Sequence, residues 1–304
     1  MTTQRVKRAR RCQLAVPASN ERAIQKAAGL GVDHVFLDLE DAVAPSEKVN
    51  ARKNVIAAFR DLDWGKTVRC YRINDLETQW AYEDVISIVE ACGDRIDTIM
   101  LPKARKASDI LWLDTLLGQI ERKLGLSKKI GIEALVEEVE AMQNIDAIAA
   151  SSPRLESLIL GMGDFTAAQG INVFAVGEMG GYPADLWHYA RVRMIIACRA
   201  NGVDPIDGPF ADFNKSDVYS EEAKKAYLLG AVGKWAIHPN QVPLATAAFS
   251  PTAESVKSAR RFADAYKEAM DAGKGSISID GMLVDAASMR MYLKTLAQAE
   301  LYDL

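Results

Sequence analysis

Acidic side chains recur where the apolar runs of this chain stop. His34-Val35-Phe36-Leu37 leads straight into Asp38, Glu40 and Asp41, and two later apolar runs stop at Glu137 and Asp164. Unpaired carboxylates are costly to bury, so several aimed at one mouth point to a divalent cation held by oxygen ligands. Glu137 and Asp164 follow consecutive strands and can converge on one point. Two carboxylates, completed by waters and substrate oxygens, suit Mg²⁺, and Mn²⁺ fits the same shell. The three histidines, His34, His188 and His238, form no HxH or HExxH pattern, which argues against zinc.

Other charged groups stand at strand ends. Arg72 in Tyr71-Arg72-Ile73-Asn74 can hold a substrate carboxylate by two parallel hydrogen bonds or stabilise an enolate oxygen. The alternative is a structural partnership with Glu40 or Asp41. Lys103, after Pro102, reads as a group that orients or neutralises acids rather than a Schiff-base lysine. His238, a single histidine without a paired group, reads as a hydrogen-bonded rim residue rather than a ligand. Asp207 also closes a strand. No GxSxG elbow or recognisable Cys–His pair supports nucleophilic catalysis.

These residues need a scaffold that gathers strand ends. Short apolar strands are predicted at Cys12–Pro17, Val35–Leu39, Thr67–Ile73, Thr98–Leu101, Lys129–Val136, Leu155–Leu160, Val203–Ile206 and Lys234–Ile237, with amphipathic helical stretches between them. Eight such alternations predict an α/β fold of the (β/α)₈ TIM-barrel type, whose active sites lie at the C-terminal strand ends. An open doubly wound sheet is the runner-up, but the first turn, Pro17-Ala18-Ser19-Asn20, lacks GxGxxG. The barrel is expected over residues 1–250. Residues 251–304 are expected to form a C-terminal helical extension, folded on its own barrel or reaching a neighbouring subunit as a lid.

Composition removes several function classes. At 304 residues with 49% hydrophobic content the chain is long enough for one barrel, and its net charge of −4 argues against a general nucleic-acid binder. The basic cluster Lys7, Arg8, Arg10 and Arg11 reads either as a solvated tail or as a clamp for ligand phosphates. Cys12, Cys70, Cys92 and Cys198 form no CxxC and read as reduced core residues of a cytoplasmic protein. No signal-peptide pattern and no membrane-length apolar run is expected.

The motifs resemble those of the citrate lyase beta-subunit-like enzymes within the HpcH/HpaI aldolase group. The resemblance covers nearly the whole chain and rests on Leu14–Asn20, Phe36–Pro45, Arg72-Ile73-Asn74, Leu101-Pro102-Lys103 and Gly233–Pro239. Met142–Ala149, Ala197–Gly202, Ile206–Phe210 and Asp63-Trp64-Gly65 are most similar to malyl-CoA lyases. The resemblance implies Mg²⁺-dependent cleavage of malyl-CoA or β-methylmalyl-CoA to acetyl-CoA or propionyl-CoA plus glyoxylate. Relatives release pyruvate from citramalyl-CoA or hydrolyse the malyl thioester; a non-catalytic CoA-binding subunit is a further rival. The implied partners are an acyl-CoA and a small 2-oxo acid, within a homo-oligomer (trimer or hexamer).

By the same resemblance Glu137 and Asp164 are metal ligands and Arg72 binds the oxo acid and enolate oxygen. Asp285, on a C-terminal segment closing over the neighbouring subunit, is an acid/base for the acetyl carbon. Lys7, Arg8 and Arg11 meet the CoA phosphates, while Glu40, Asp41, Lys103 and His238 support the site. Two departures stand out. Glu137-Glu138 replaces the family's usual Glu-Thr, and the stretch Gln169–Trp187 leaves the malyl-CoA lyase pattern.

Overall fold

A computed structural model describes residues 5–173 and 183–304. The segment 174–182, within the divergent stretch Gln169–Trp187, lies outside the described residues. The chain divides into two compact units, one of residues 10–248 with the start of the chain, the other of residues 249–304 with Lys7–Ala9.

The first unit is a closed parallel barrel of strands β1 (Cys12–Pro17), β2 (His34–Asp38), β3 (Val68–Arg72), β4 (Thr98–Leu101), β5 (Gly131–Val136), β6 (Leu155–Leu160), β7 (Asp204–Asp207) and β8 (Gly233–Ala236) in sequential order. The ring closes through Cys12, Gln13 and Leu14 against Lys234, Trp235 and Ala236. Helices α1 (Glu21–Ala28), α2 (Lys48–Asp61), α3 (Ala81–Cys92), α4 (Ala107–Leu124), α5 (Val139–Gln143), α6 (Ile145–Ala150), α7 (Met162–Gln169), α8 (His188–Asn201), α9 (Ser216–Leu229) and α10 (Val242–Phe249) follow the strands. Asn20 caps α1 by accepting the Ala23 N–H at 3.0 Å.

The two-residue period of the strands sorts the barrel interior into three levels. β2 points His34, Phe36 and Asp38 inward, and β5 with its extension points Glu133, Leu135 and Glu137. The middle level is apolar: Phe36, Cys70, Met100, Leu135, Ile159, Ile206 and Trp235 form one buried cluster. Phe36 and Trp235 lie 4.5 Å apart between ring centroids, a pairing that contributes about 1 kcal/mol beyond area burial.

The floor is polar. Glu133 accepts from Gln13 Nε2 (2.8 Å), Thr98 Oγ1 (3.0 Å) and Ser157 Oγ (2.9 Å) and lies 2.9 Å from His34 Nε2. Arg10, fully buried, pairs with Glu133, Glu156 and Asp204. The upper level holds the charged residues of the strand ends.

The second unit consists of α11 (Ala253–Asp271), an antiparallel hairpin of β9 (Ile277–Ile279) and β10 (Met282–Val284), and α12 (Ala286–Leu301). The two helices were anticipated but the hairpin was not. Its turn, Asp280-Gly281, has φ of 51° and 80° at the two positions, the positive-φ pair that a two-residue hairpin loop demands. The Asp-Gly dipeptide between short apolar runs was the available signal.

Candidate active site

At the mouth, β2 and β3 end in register, with Asp38 beside Arg72. Arg72 donates from Nε to Asp38 Oδ1 and from Nη2 to Oδ2, both at 2.7 Å. Asp38 also accepts the backbone N–H groups of Glu40 (2.9 Å) and Ala42 (3.2 Å). Lys48 Nζ secures the same turn through the carbonyls of Leu39 and Glu40. Burial alone would raise the Asp38 carboxyl, but the charge and hydrogen bonds of Arg72 and the two N–H groups hold it below the usual carboxylate range.

Using the Nε/Nη2 edge of Arg72 in this way leaves its terminal Nη1/Nη2 edge facing the mouth. Glu40 Oε2 lies 2.8 Å from Nη1, yet it is a buried acceptor with no aligned donor. Asp41 is 3.5 Å from the same nitrogen. The structure therefore shows the Glu40 and Asp41 partnership allowed from the sequence, and adds a stronger one with Asp38. The sequence places Asp38 at a strand end without a task; its pairing with Arg72 depends on the register of β2 against β3, which the sequence does not show.

Lys103 sits just past β4 with φ of 46°. That turn aims its backbone N–H at Glu137 Oε1 (2.8 Å) and its Nζ at Glu40 Oε1 (2.5 Å). It acts as an orienting cation, and the neighbouring carboxylates outweigh burial to hold its ammonium above the ordinary lysine range.

Glu137 is almost fully buried. Burial pushes its carboxyl up to about 8; Arg72 opposes that push, and the negative charges of Glu40 and Asp164 add to it. Glu40 is likewise pushed up by burial, to about 7, against the pull of Arg72 and Lys103. Half-buried Asp164 stands in the first turn of α7, near enough for its charge to act on Glu137. The chain approaches Glu137 closely at Gly161, where an added Cβ would lie 2.5 Å from Glu137 Oε2. Two neighbouring carboxylates with more negative charge than their protein partners neutralise are a donor set that fits a hard divalent cation.

Other residues named from the sequence fall elsewhere. Arg11 precedes β1 and grips Asp33 through its backbone N–H (3.0 Å), Nε (2.8 Å) and Nη2 (2.7 Å). Asp33 immediately precedes β2, so this pair lies at the opposite end of the strands from Arg72. The expectation that Arg11 clamps CoA phosphates at this barrel's mouth is therefore corrected. Lys7 and Arg8 belong with the C-terminal unit.

His238 stacks on Phe213 with centroids 4.8 Å apart. Its Nδ1 accepts the Asn240 N–H at 3.2 Å, as a rim histidine would. Asp207 faces outward from β7 to Arg191 and Lys234. Asp285, in the C-terminal unit, caps α12: its Oδ1 accepts from Ala287 N, Ser288 N and Ser288 Oγ. The bond from Ser288 N is the main cause holding its carboxyl low.

His34, Cys70 and Glu133 bring potential ligand atoms within 4.8 Å of one another. Glu133, however, is already saturated by the floor network, so this cluster reads as structural.

The HpcH/HpaI aldolase/citrate lyase family matches residues 11–239. The chain belongs to this family. Among its relatives, the chain is 40% identical to an L-malyl-CoA/beta-methylmalyl-CoA lyase of Cereibacter sphaeroides over 97% of its length and 96% of the relative's. It is 34% identical to a malyl-CoA/beta-methylmalyl-CoA/citramalyl-CoA lyase of Chloroflexus aurantiacus over 85% of this chain and 78% of that one. The fold matches CitE from Mycobacterium tuberculosis in complex with magnesium, acetoacetate and coenzyme A, with a TM-score of 0.76, 27% identity, and coverage of 96% and 98% of the two chains. The match to the HpcH/HpaI aldolase/citrate lyase family ends beside β8, so it covers the barrel and not the helical extension.

Proposed function

We propose that this chain is a Mg²⁺-dependent carbon–carbon lyase. It reversibly cleaves malyl-CoA or β-methylmalyl-CoA to acetyl-CoA or propionyl-CoA plus glyoxylate. The observation that supports this reading is the mouth itself: Asp164 stands near enough for its charge to act on Glu137, beside an arginine whose inner edge Asp38 locks and whose Nη1 meets Glu40 and Asp41. The resemblance to malyl-CoA lyases supplies the substrate class.

Glu137 and Asp164 would hold a Mg²⁺ or Mn²⁺ ion, which when bound would lower the pKa of the substrate hydroxyl and polarise the carbonyl that forms. As the hydroxyl proton passes to solvent water, the carbon–carbon bond breaks and its electron pair moves into a thioester enolate. Arg72 presents its outer Nη edge to that developing charge, already oriented by Asp38. Glu40 and Lys103 hold the position until substrate arrives. Asp285, with Oδ1 fixed by the cap of α12, takes a proton from solvent on Oδ2 and delivers it to carbon. It does so at the neighbouring subunit's site in a homo-oligomer (trimer or hexamer). Lys7 and Arg8 are reserved for the CoA phosphates. The reading places the enzyme in the cytoplasm, with four buried free cysteines as its support.

The test is to incubate the protein with Mg²⁺, acetyl-CoA or propionyl-CoA, and glyoxylate or pyruvate, and to identify adducts by mass spectrometry. Glyoxylate adducts are expected. Pyruvate differs by one methyl, worth only ~1–3 kcal/mol in a pocket, so a weaker citramalyl-CoA product is compatible. Hydrolysis of malyl-CoA to malate and CoA without glyoxylate would make the chain a thioesterase instead. No adduct with any pair would end the lyase reading.

A further inference from the structure

Asp164 rides on α7, a helix of eight residues whose N-cap, Gly161, offers no side-chain cap. A helix this short does not hold itself in water, so its orientation must come from neighbours. Two side chains at the start of α8 supply it. Trp187, 1% exposed, donates from Nε1 to Thr166 Oγ1 at 3.0 Å. The Thr166 hydroxyl in turn donates to the Met162 carbonyl at 2.6 Å, so both of its roles are used within one turn of Asp164.

Arg191, 2% exposed, completes the hold. Its Nη2 lies 3.5 Å from Met162 Sδ, two residues before Asp164. Its Nε donates to Asp207 Oδ1 at 2.8 Å, and its Nη1 donates to Asp185. Asp185 also accepts the Trp187 backbone N–H at 2.9 Å. The other oxygen of Asp207 accepts from Lys234 Nζ at 2.7 Å. The end of β7, the start of β8, the exit of the divergent stretch and the start of α7 therefore meet in one buried network between the barrel wall and α8. Aliphatic side chains could fill that volume without desolvating charges. The charged arrangement instead anchors Arg191, whose contact with Met162 joins the Trp187–Thr166 bond in orienting α7.

We propose that Trp187 and Arg191 are positioning residues for Asp164, setting the affinity of the mouth for its divalent cation. The inference rests on the reading of Asp164 as a metal ligand. It assigns the described exit of the stretch Gln169–Trp187 a task in metal binding rather than in acyl selection.

The experiment is titration of the full-length, metal-free protein with Mn²⁺, followed by electron paramagnetic resonance, with thermal melting of the same metal-free samples. Trp187→Phe and Thr166→Val each weaken Mn²⁺ binding about tenfold, the size of effect seen for groups that orient ligands, while Thr166→Ser keeps near-native affinity because the hydroxyl survives. Loss of affinity through general loosening would instead track the melting temperature and would not separate valine from serine. Native affinity in both Trp187→Phe and Thr166→Val, or equal loss in the valine and serine variants, overturns the proposal. Should Trp187→Phe fail to fold, the valine–serine pair decides alone. Asp164→Asn separates the two levels. If it loses Mn²⁺ while Trp187→Phe does not, only the positioning role falls; if it binds Mn²⁺ like the native protein, the metal reading falls and takes the positioning role with it.

Discussion

At the scale of single residues, the functional contrast is between the two edges of Arg72. Asp38 takes one edge with two bonds of 2.7 Å, and on the other Nη1 meets Glu40 at 2.8 Å. Replacing Asp38 by asparagine keeps the shape but removes the charge that locks the guanidinium. Cleavage by Asp38→Asn is expected to fall about 100-fold in kcat/KM, in the range of losing one oriented charge-stabilising group, with circular dichroism unchanged. Near-native steady-state rates would show that Arg72 does not need the lock. Both groups were visible in the sequence as charges closing apolar runs. Their pairing was not, because it depends on the register between β2 and β3. Arg11 shows the opposite failure: its charge was legible, but the end of the barrel it occupies is decided by which side of β1 it precedes.

At the scale of elements, the strands carry function by their two-residue period. Gly161, where β6 meets α7, is constrained by Glu137: a Cβ there would sit 2.6 Å from the Glu137 Cβ as well as 2.5 Å from Oε2. Gly161→Ala is expected to displace Glu137 and abolish most turnover, with a loss of about 1–3 kcal/mol in stability from overpacking. Urea unfolding together with activity assays checks both parts. The floor makes a pH prediction. Burial tends to raise the Glu133 carboxyl, but His34 and Arg10 outweigh it and hold the group below its ordinary range. A depressed carboxyl contributes stability above its unfolded pKa of about 4.3 and loses it as pH falls toward the folded value. Stability measured in urea should therefore drop as pH falls from about 5 to about 3, and Glu133→Gln should be weaker at neutral pH but show a shallower acid limb. The raised carboxyls of Glu40 and Glu137 act in the other direction, losing stability as pH rises above about 4.3, so they cannot produce an acid-side drop. An equally steep limb in Glu133→Gln would remove Glu133 from the account. The strands were readable from apolar runs to within a residue or two.

At the scale of the whole molecule, the barrel carries the proposed metal carboxylates and Arg72, while the proposed proton donor Asp285 belongs to the other compact unit. If the extension serves a neighbouring subunit, Glu137→Ala and Asp285→Asn oligomers are each inactive alone. Dissociated and reassembled together, they regain activity at sites that draw one intact residue from each chain. A mixture that stays inactive would place Asp285 in its own chain's site or outside the reaction. The sequence carried this possibility only through resemblance, because no periodicity says which barrel a terminal helix covers. All of these readings meet at the cation site proposed for Glu137 and Asp164, and Mg²⁺-dependent turnover of malyl-CoA by the Glu137→Ala protein tests it most directly. The expected result is a folded barrel whose rate falls about 10³-fold, the upper range for removing a preorganised electrostatic group. Turnover close to that of the native chain would contradict the account.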